Sequence, residues 1–100
     1  MAIKTTESGS TVTLFVEGRF DFSLHKEFSD AYKEFPKGEK HFVVDLSQVQ
    51  YMDSSAMGML LQLREHSAKD SKDAVVLANP SSGVADILRI ANFEKLFTVK

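Results

Sequence analysis

The sequence predicts an α/β domain with a mostly parallel sheet, on three observations. Two short runs, Val43-Val44-Asp45-Leu46 and Ala74-Val75-Val76-Leu77-Ala78, are apolar and β-branched in the manner of strands covered on both faces. Three stretches of helical periodicity alternate with them. Ser8-Gly9-Ser10 joins two further strand-like segments as a tight turn, which adds an antiparallel hairpin at the start.

The first strand, residues 2–7, has only Ile3 as a large apolar residue and reads as a sheet edge. In residues 11–17, Val12, Leu14 and Val16 point one way and Thr11, Thr13 and Glu17 the other. A loop, Gly18-Arg19-Phe20-Asp21-Phe22, leads to Ser23, a residue type suited to capping a helix. Leu24, Phe28, Ala31, Tyr32 and Phe35 then recur on one helical face, with Lys26, Glu27, Asp30, Lys33 and Glu34 on the solvated side. Pro36 and Gly38 stop that helix.

The strand at 43–46 passes through a polar loop into Asp53-Ser54-Ser55, residue types that satisfy the free N–H groups of a helix N-terminus. The helix is expected to run to about Lys69, before a turn at Asp70-Ser71-Lys72-Asp73. After the strand at 74–78, Asn79-Pro80 punctuates the chain, and a third helix carries Val84, Ile87, Leu88 and Ala91 inward. Leu96-Phe97-Thr98-Val99 is the last strand. The order is β-β-α-β-α-β-α-β, with right-handed crossovers, in one domain spanning 1–100.

Composition narrows the function classes. The chain has 100 residues, 43% hydrophobic and 26% charged, as expected of a single soluble globular domain. Its formal net charge is -2 with Lys and Arg scattered among acids, which argues against binding nucleic acid through phosphate neutralisation. No apolar run approaches the ~20 residues that span a bilayer, so no membrane insertion is expected. Cysteine is absent, and a cytoplasmic protein fits best.

The expected site chemistry is equally bounded. His25, His41 and His66 lie on different elements without metal-ligand spacing and read as surface residues, so no metal is expected. Met52-Asp53-Ser54-Ser55-Ala56 lacks the glycines of a nucleophile elbow, and no glycine-rich phosphate loop is present. Neither an enzyme nor a cofactor is expected. Ser81-Ser82-Gly83 is explained by capping of the third helix.

In the helix from Ser54, steps of 100° place Ala56, Met57, Leu60, Leu61, Leu63 and Ala68 on the arc facing the sheet. Ser54, Gly58 and Glu65 fall on the wet side, and Ser55, Met59, Gln62 and His66 form one edge. Met59 either covers the rim of the core or belongs to a docking surface, a use suited to its adaptable side chain. Gly58 costs about 1 kcal/mol relative to Ala in a helix, which suggests a close approach by the neighbouring strand or by a partner.

The run Val-Val-Asp-Leu-Ser-x-Val-x-Tyr-Met-Asp-Ser-Ser-x-x-Gly at 43–58 resembles the signature of STAS domains, specifically bacterial anti-sigma factor antagonists. Gly18 and Asp21 before the first helix and Asn79-Pro80 before the third match the same family. The resemblance implies that Ser54, directly after the aspartate, is a phosphoacceptor. It also implies partner switching, in which the unphosphorylated form binds a serine protein kinase that doubles as an anti-sigma factor and a PP2C-type phosphatase removes the phosphate. The sequence departs from the pattern at Ala56, where a glycine is common, and it ends at Lys100 without the C-terminal helix of many members.

The loop at 18–23 and the start of the second helix both follow parallel strands, and ligands of open α/β sheets gather at that edge. The expected docking surface is therefore Ser54 with Asp21, Asp53, Ser55, Met59 and Gln62, on a monomer. Two rival readings are a non-switching STAS subunit of a membrane transporter complex, in which the serines only cap, and a small hydrolase using Ser54. The absence of a paired histidine argues against the latter.

Overall fold

The computed structural model describes residues 2–68 and 72–100. Its elements are β1 (Ile3–Ser8), β2 (Thr11–Phe20), α1 (His25–Lys33), β3 (His41–Met52), α2 (Ser54–His66), β4 (Val75–Ala78), α3 (Ser82–Ile90) and β5 (Thr98–Val99). The sheet order is β1-β2-β3-β4-β5, with β1 antiparallel to β2 and every other pair parallel. The predicted order of elements and the edge position of β1 therefore hold. Gly9 takes φ +60 in the hairpin turn, a conformation that costs glycine no Cβ clash.

The parallel connections step steadily in one direction from β2 to β5, so crossovers of a single hand place all three helices on one face of the sheet. Burial agrees. Val12, Leu14, Val16 and Phe20 of β2 and Phe42, Val44 and Leu46 of β3 are buried with Phe28 and Tyr32 of α1, Leu60 and Leu63 of α2, and Val84 and Leu88 of α3. The Phe20 and Phe28 rings stand 5.2 Å apart, tilted, and Tyr32 meets Phe42 edge-on at 6.3 Å. The opposite face is open. Val43 and Val76, expected in strands covered on both sides, are only half-buried there, opposite one another in the ladder.

Both strands leading to the site are longer than expected. β2 continues through the predicted loop to Phe20, and β3 runs on through Ser47–Tyr51 to Met52. Each extension supplies the other's hydrogen bonds, in a parallel ladder that shifts register between Phe15 and Glu17 and again between Gly18 and Arg19. Gly18 sits at the second shift with φ +80. Phe20, Val49 and Met52 are buried along this stretch, which provides the packing that its polar residues conceal in the sequence.

Other boundaries move for local reasons. Asp21, not Ser23, caps the entry to the first helix, through a 3-10 turn at Phe22–Leu24. α2 stops at His66 because Ser67 is extended and the backbone then bonds across to the loop before β3, with Ala68 N–H on Lys40 O at 2.9 Å. The expected end at Lys69 and the turn residues Asp70 and Ser71 lie outside the described residues, while Lys72 and Asp73 belong to a 3-10 turn before β4. Ala91 is exposed at the end of α3, and β5 shrinks to two residues because a 3-10 turn occupies Phe93–Lys95.

Candidate functional site

The site is set by sheet register. Phe20 of β2 pairs with Met52 of β3, and Arg19 pairs with Tyr51. Asp21 and Asp53 follow directly, so they leave the sheet at the same edge, and each feels the other's charge. Asp21 Oδ1 accepts from Ser23 N–H at 3.0 Å and from the Ser23 hydroxyl at 2.5 Å. Asp53 Oδ1 accepts from Ser55 N–H at 3.0 Å, the Ser55 hydroxyl at 2.6 Å and Ala56 N–H at 3.1 Å, which caps α2.

Asp45 repeats the same Asp-x-Ser turn within β3, accepting from Ser47 N–H at 2.9 Å and from its hydroxyl at 2.6 Å. Its other oxygen takes the Asn79 amide at 3.0 Å, across the end of β4. Asn79 holds φ +58 there, a left-handed conformation that asparagine tolerates. This gives the Asn79-Pro80 junction a physical role in tying the entry of α3 to β3.

These bonds hold the carboxylates ionised. The Ser23 hydroxyl, then its N–H, pulls the Asp21 carboxyl below its ordinary value, with Arg19 helping at 3.5 Å. The Ser55 hydroxyl is the largest influence on Asp53 and lowers it, while desolvation and the Asp21 charge push the other way. Arg19 also lies over the Tyr51 ring, 4.2 Å from its centre, which holds the guanidinium beside Asp21.

Ser54 and Ser55 differ sharply. The Ser55 hydroxyl is committed to Asp53 and half-buried, whereas Ser54 is exposed on the first turn of α2 and its hydroxyl makes no hydrogen bond among the described residues. Asp21 and Asp53 are half-buried beside it, and Gln62 is exposed two turns further along α2. Met59 is not part of this surface. It is 3% exposed, packed in the core with Ala56, Leu60 and Leu63.

Leu61 takes the exposed place instead, at 39%. Seven residues separate it from Ser54, which is two turns and about 10 Å along the same line of the helix, with Gly58 between them. The 100° periodicity contained that position, but a rotation of the buried arc toward Met59 was needed to reveal it. Phe22, 67% exposed beside Asp21, and Tyr51, 41% exposed before Asp53, add apolar surface that the sequence reading overlooked. An aromatic placed beside a capping aspartate, at the carboxyl edge of a parallel strand, was the available signal. All three histidines expected at the surface are half-buried, and His66 packs on Tyr32 and donates from Nε2 to Phe35 O at 2.7 Å.

Comparison with known proteins places this geometry. The family model described as "Mlab, STAS domain" matches residues 3–98. A STAS-domain containing protein of Pseudomonas aeruginosa (strain UCBPP-PA14) is 45% identical over 101 residues, covering 99% of each chain. An anti-sigma factor antagonist from Mycobacterium paratuberculosis shares the fold with a TM-score of 0.73 at 15% identity, over 97% of this chain and 82% of that one. The phosphorylated form of the Bacillus cell fate determinant SpoIIAA superposes with a TM-score of 0.65 at 20% identity, over 99% and 91%. No helix among the described residues is long and apolar enough to cross a membrane.

Proposed function

We propose, on the premise that this chain belongs to the STAS domain family, that it is a partner-switching regulator controlled by phosphorylation of Ser54. One observation carries the reading: of the two adjacent serines, only Ser54 offers an exposed hydroxyl with no hydrogen bond among the described residues. The likeness in fold to a protein solved in a phosphorylated form supports it. The unphosphorylated surface binds a serine protein kinase that acts as an anti-sigma factor or an equivalent client. A PP2C-type phosphatase restores that state.

The physical effect is a change of charge on an unchanged fold. A phosphate brings about −1.5 to −2 charges to the first turn of α2, where the helix dipole favours an anion by about 0.3–1 kcal/mol. Asp53 and Asp21 oppose it at close quarters, so folding gains little. Binding responds more strongly. A partner docked over Ser54 and the exposed Phe22, Tyr51 and Leu61 strips water from that charge, and about 2.7 kcal/mol of penalty weakens the complex a hundredfold.

Intact-mass analysis of the chain purified from its native cells, with and without phosphatase treatment, tests the assignment. One phosphate in the wild type that disappears in Ser54→Ala is the expected result, and phosphate on Ser55 alone overturns it. A chain that never carries phosphate and purifies with a membrane transport complex belongs with STAS subunits whose serines only cap.

A further inference from the structure

β1 forms the outer edge of the sheet. Glu17 N–H donates to Ala2 O at 2.9 Å, so these two face each other as a bonded pair across the antiparallel ladder. The alternation of such a ladder turns the N–H and C=O groups of Ile3, Thr5 and Glu7 outward. Ile3 shows this directly. Its N–H donates to Glu27 Oε2 of α1 at 3.0 Å, where the carboxylate oxygen takes the place of a carbonyl from a sixth strand. No side chain among the described residues does the same for Thr5 or Glu7.

A groove of about 520 Å³ runs between this edge and α1, lined by Ile3, Thr5, Lys26, Glu27, Asp30 and Ala31. Ile3 and Ala31 give it an apolar floor. Lys26 is spent on Asp30 in an exposed ion pair of 2.8 Å, which leaves Glu27 without a cation among the described residues. The groove therefore has backbone groups ready for strand pairing, an apolar floor and an unneutralised carboxylate.

We infer that this groove is a strand-addition site for an extended segment of another polypeptide carrying a Lys or Arg. Its backbone pairs with Thr5 and Glu7, and its basic side chain lays the stem over Ile3 and Ala31 with the head on Glu27. A second copy of this chain fits poorly. Antiparallel pairing of two β1 edges about a two-fold axis brings Ile3, Thr5 or Glu7 of the copy to the groove side. Ile3 and Thr5 carry no charge, and Glu7 is already paired with Lys40 at 2.8 Å, so none of the three offers a cation to Glu27. The inference is independent of the role of Ser54.

The test uses labelled pentapeptides of alternating Thr and Val with a central Lys, against the same peptides with a central Glu, titrated into the full chain. Fluorescence anisotropy gives the affinity, and amide NMR shifts give the location. The Lys peptide should perturb Ile3–Glu7 and Glu27–Ala31, and the Glu peptide should bind about tenfold more weakly or worse. Thr5→Pro removes an outward N–H at an edge position that accepts proline, and should abolish binding with the thermal midpoint retained. Glu27→Gln keeps an acceptor for Ile3 and should weaken the Lys peptide about tenfold, which tests the charge even if the proline variant fails to fold. Equal affinity for both peptides, or shifts confined elsewhere, overturns the inference. So does self-association in sedimentation that Thr5→Pro abolishes, which would assign the edge to a second copy.

Discussion

Asp21 and Asp53 stand side by side because the residues before them, Phe20 and Met52, are register partners in adjacent parallel strands. They are the same device used twice. Each carboxylate leaves a strand end, accepts the N–H and hydroxyl of the serine two positions on, and opens a helical segment. The price of that duplication is mutual repulsion, and each serine hydroxyl offsets part of it. Ser54 is the hydroxyl left over.

The acidic pair makes stability depend on pH in the acid range. Both carboxyls lie below their ordinary value in the folded chain, so their contribution is present above the unfolded value of about 3.9 and is lost as pH falls through the folded one. Thermal midpoints measured from pH 2.5 to 7 should therefore drop at the acid end, and less steeply in Asp21→Asn. That substitution removes a charge that raises Asp53, so the Asp53 titration should move lower still by NMR. An upward movement would contradict the geometry.

The two serines should separate in stability as they do in structure. Ser55→Ala removes the largest influence lowering Asp53, so that carboxyl should titrate closer to the ordinary value and the thermal midpoint should fall by a few degrees. Ser54→Ala breaks no hydrogen bond among the described residues and should leave both measurements at wild-type values. A matching loss in the two variants would mean that Ser54 also serves the cap.

Met59 and Leu61 exchange the roles that periodicity suggested. Met59→Ala opens the core and should cost about 2–5 kcal/mol in denaturant unfolding. Leu61→Ser alters a side chain already 39% exposed and should stay within about 1 kcal/mol. If the proposed docking surface is right, Leu61→Ser weakens partner binding while Met59→Ala acts only through stability.

The element order and the Asp53-Ser54-Ser55 turn were legible because each rests on local chemistry: alternation of strand and helix, and residue types that cap. What was hidden depends on neighbours distant in sequence. Ser47, Gln48 and Gln50 look like a loop, yet they are strand because β2 extends alongside and supplies the hydrogen bonds. The face of α2 was ambiguous for another reason. Ala56, Met57, Met59, Leu60, Leu61 and Leu63 cover an arc of about 200°, over half the helix surface, so hydrophobicity alone could not choose the buried part of it. Packing of Ala56, Leu60 and Leu63 against the sheet chose it.

Gly58 has no intramolecular reason to be glycine. It sits mid-helix on the exposed line between Ser54 and Leu61, outside the residues with positive φ, and a Cβ built there meets nothing within 4 Å. The neighbouring strand, one of the two expected reasons for it, is thereby excluded. Gly58→Ala should stabilise the isolated chain by about 1 kcal/mol, since alanine loses less backbone entropy in a helix. For a domain of this size that corresponds to a rise in thermal midpoint of roughly 4–8 °C. The same substitution adds a methyl group to the proposed docking line. A partner backbone that passes close over α2 then loses affinity to a variant that is the more stable fold. Calorimetry of the free chain and a binding titration with the kinase or client separate the effects. A stabilised variant with unchanged affinity would remove Gly58 from the interface, and a destabilised one would show that the helix needs the glycine after all.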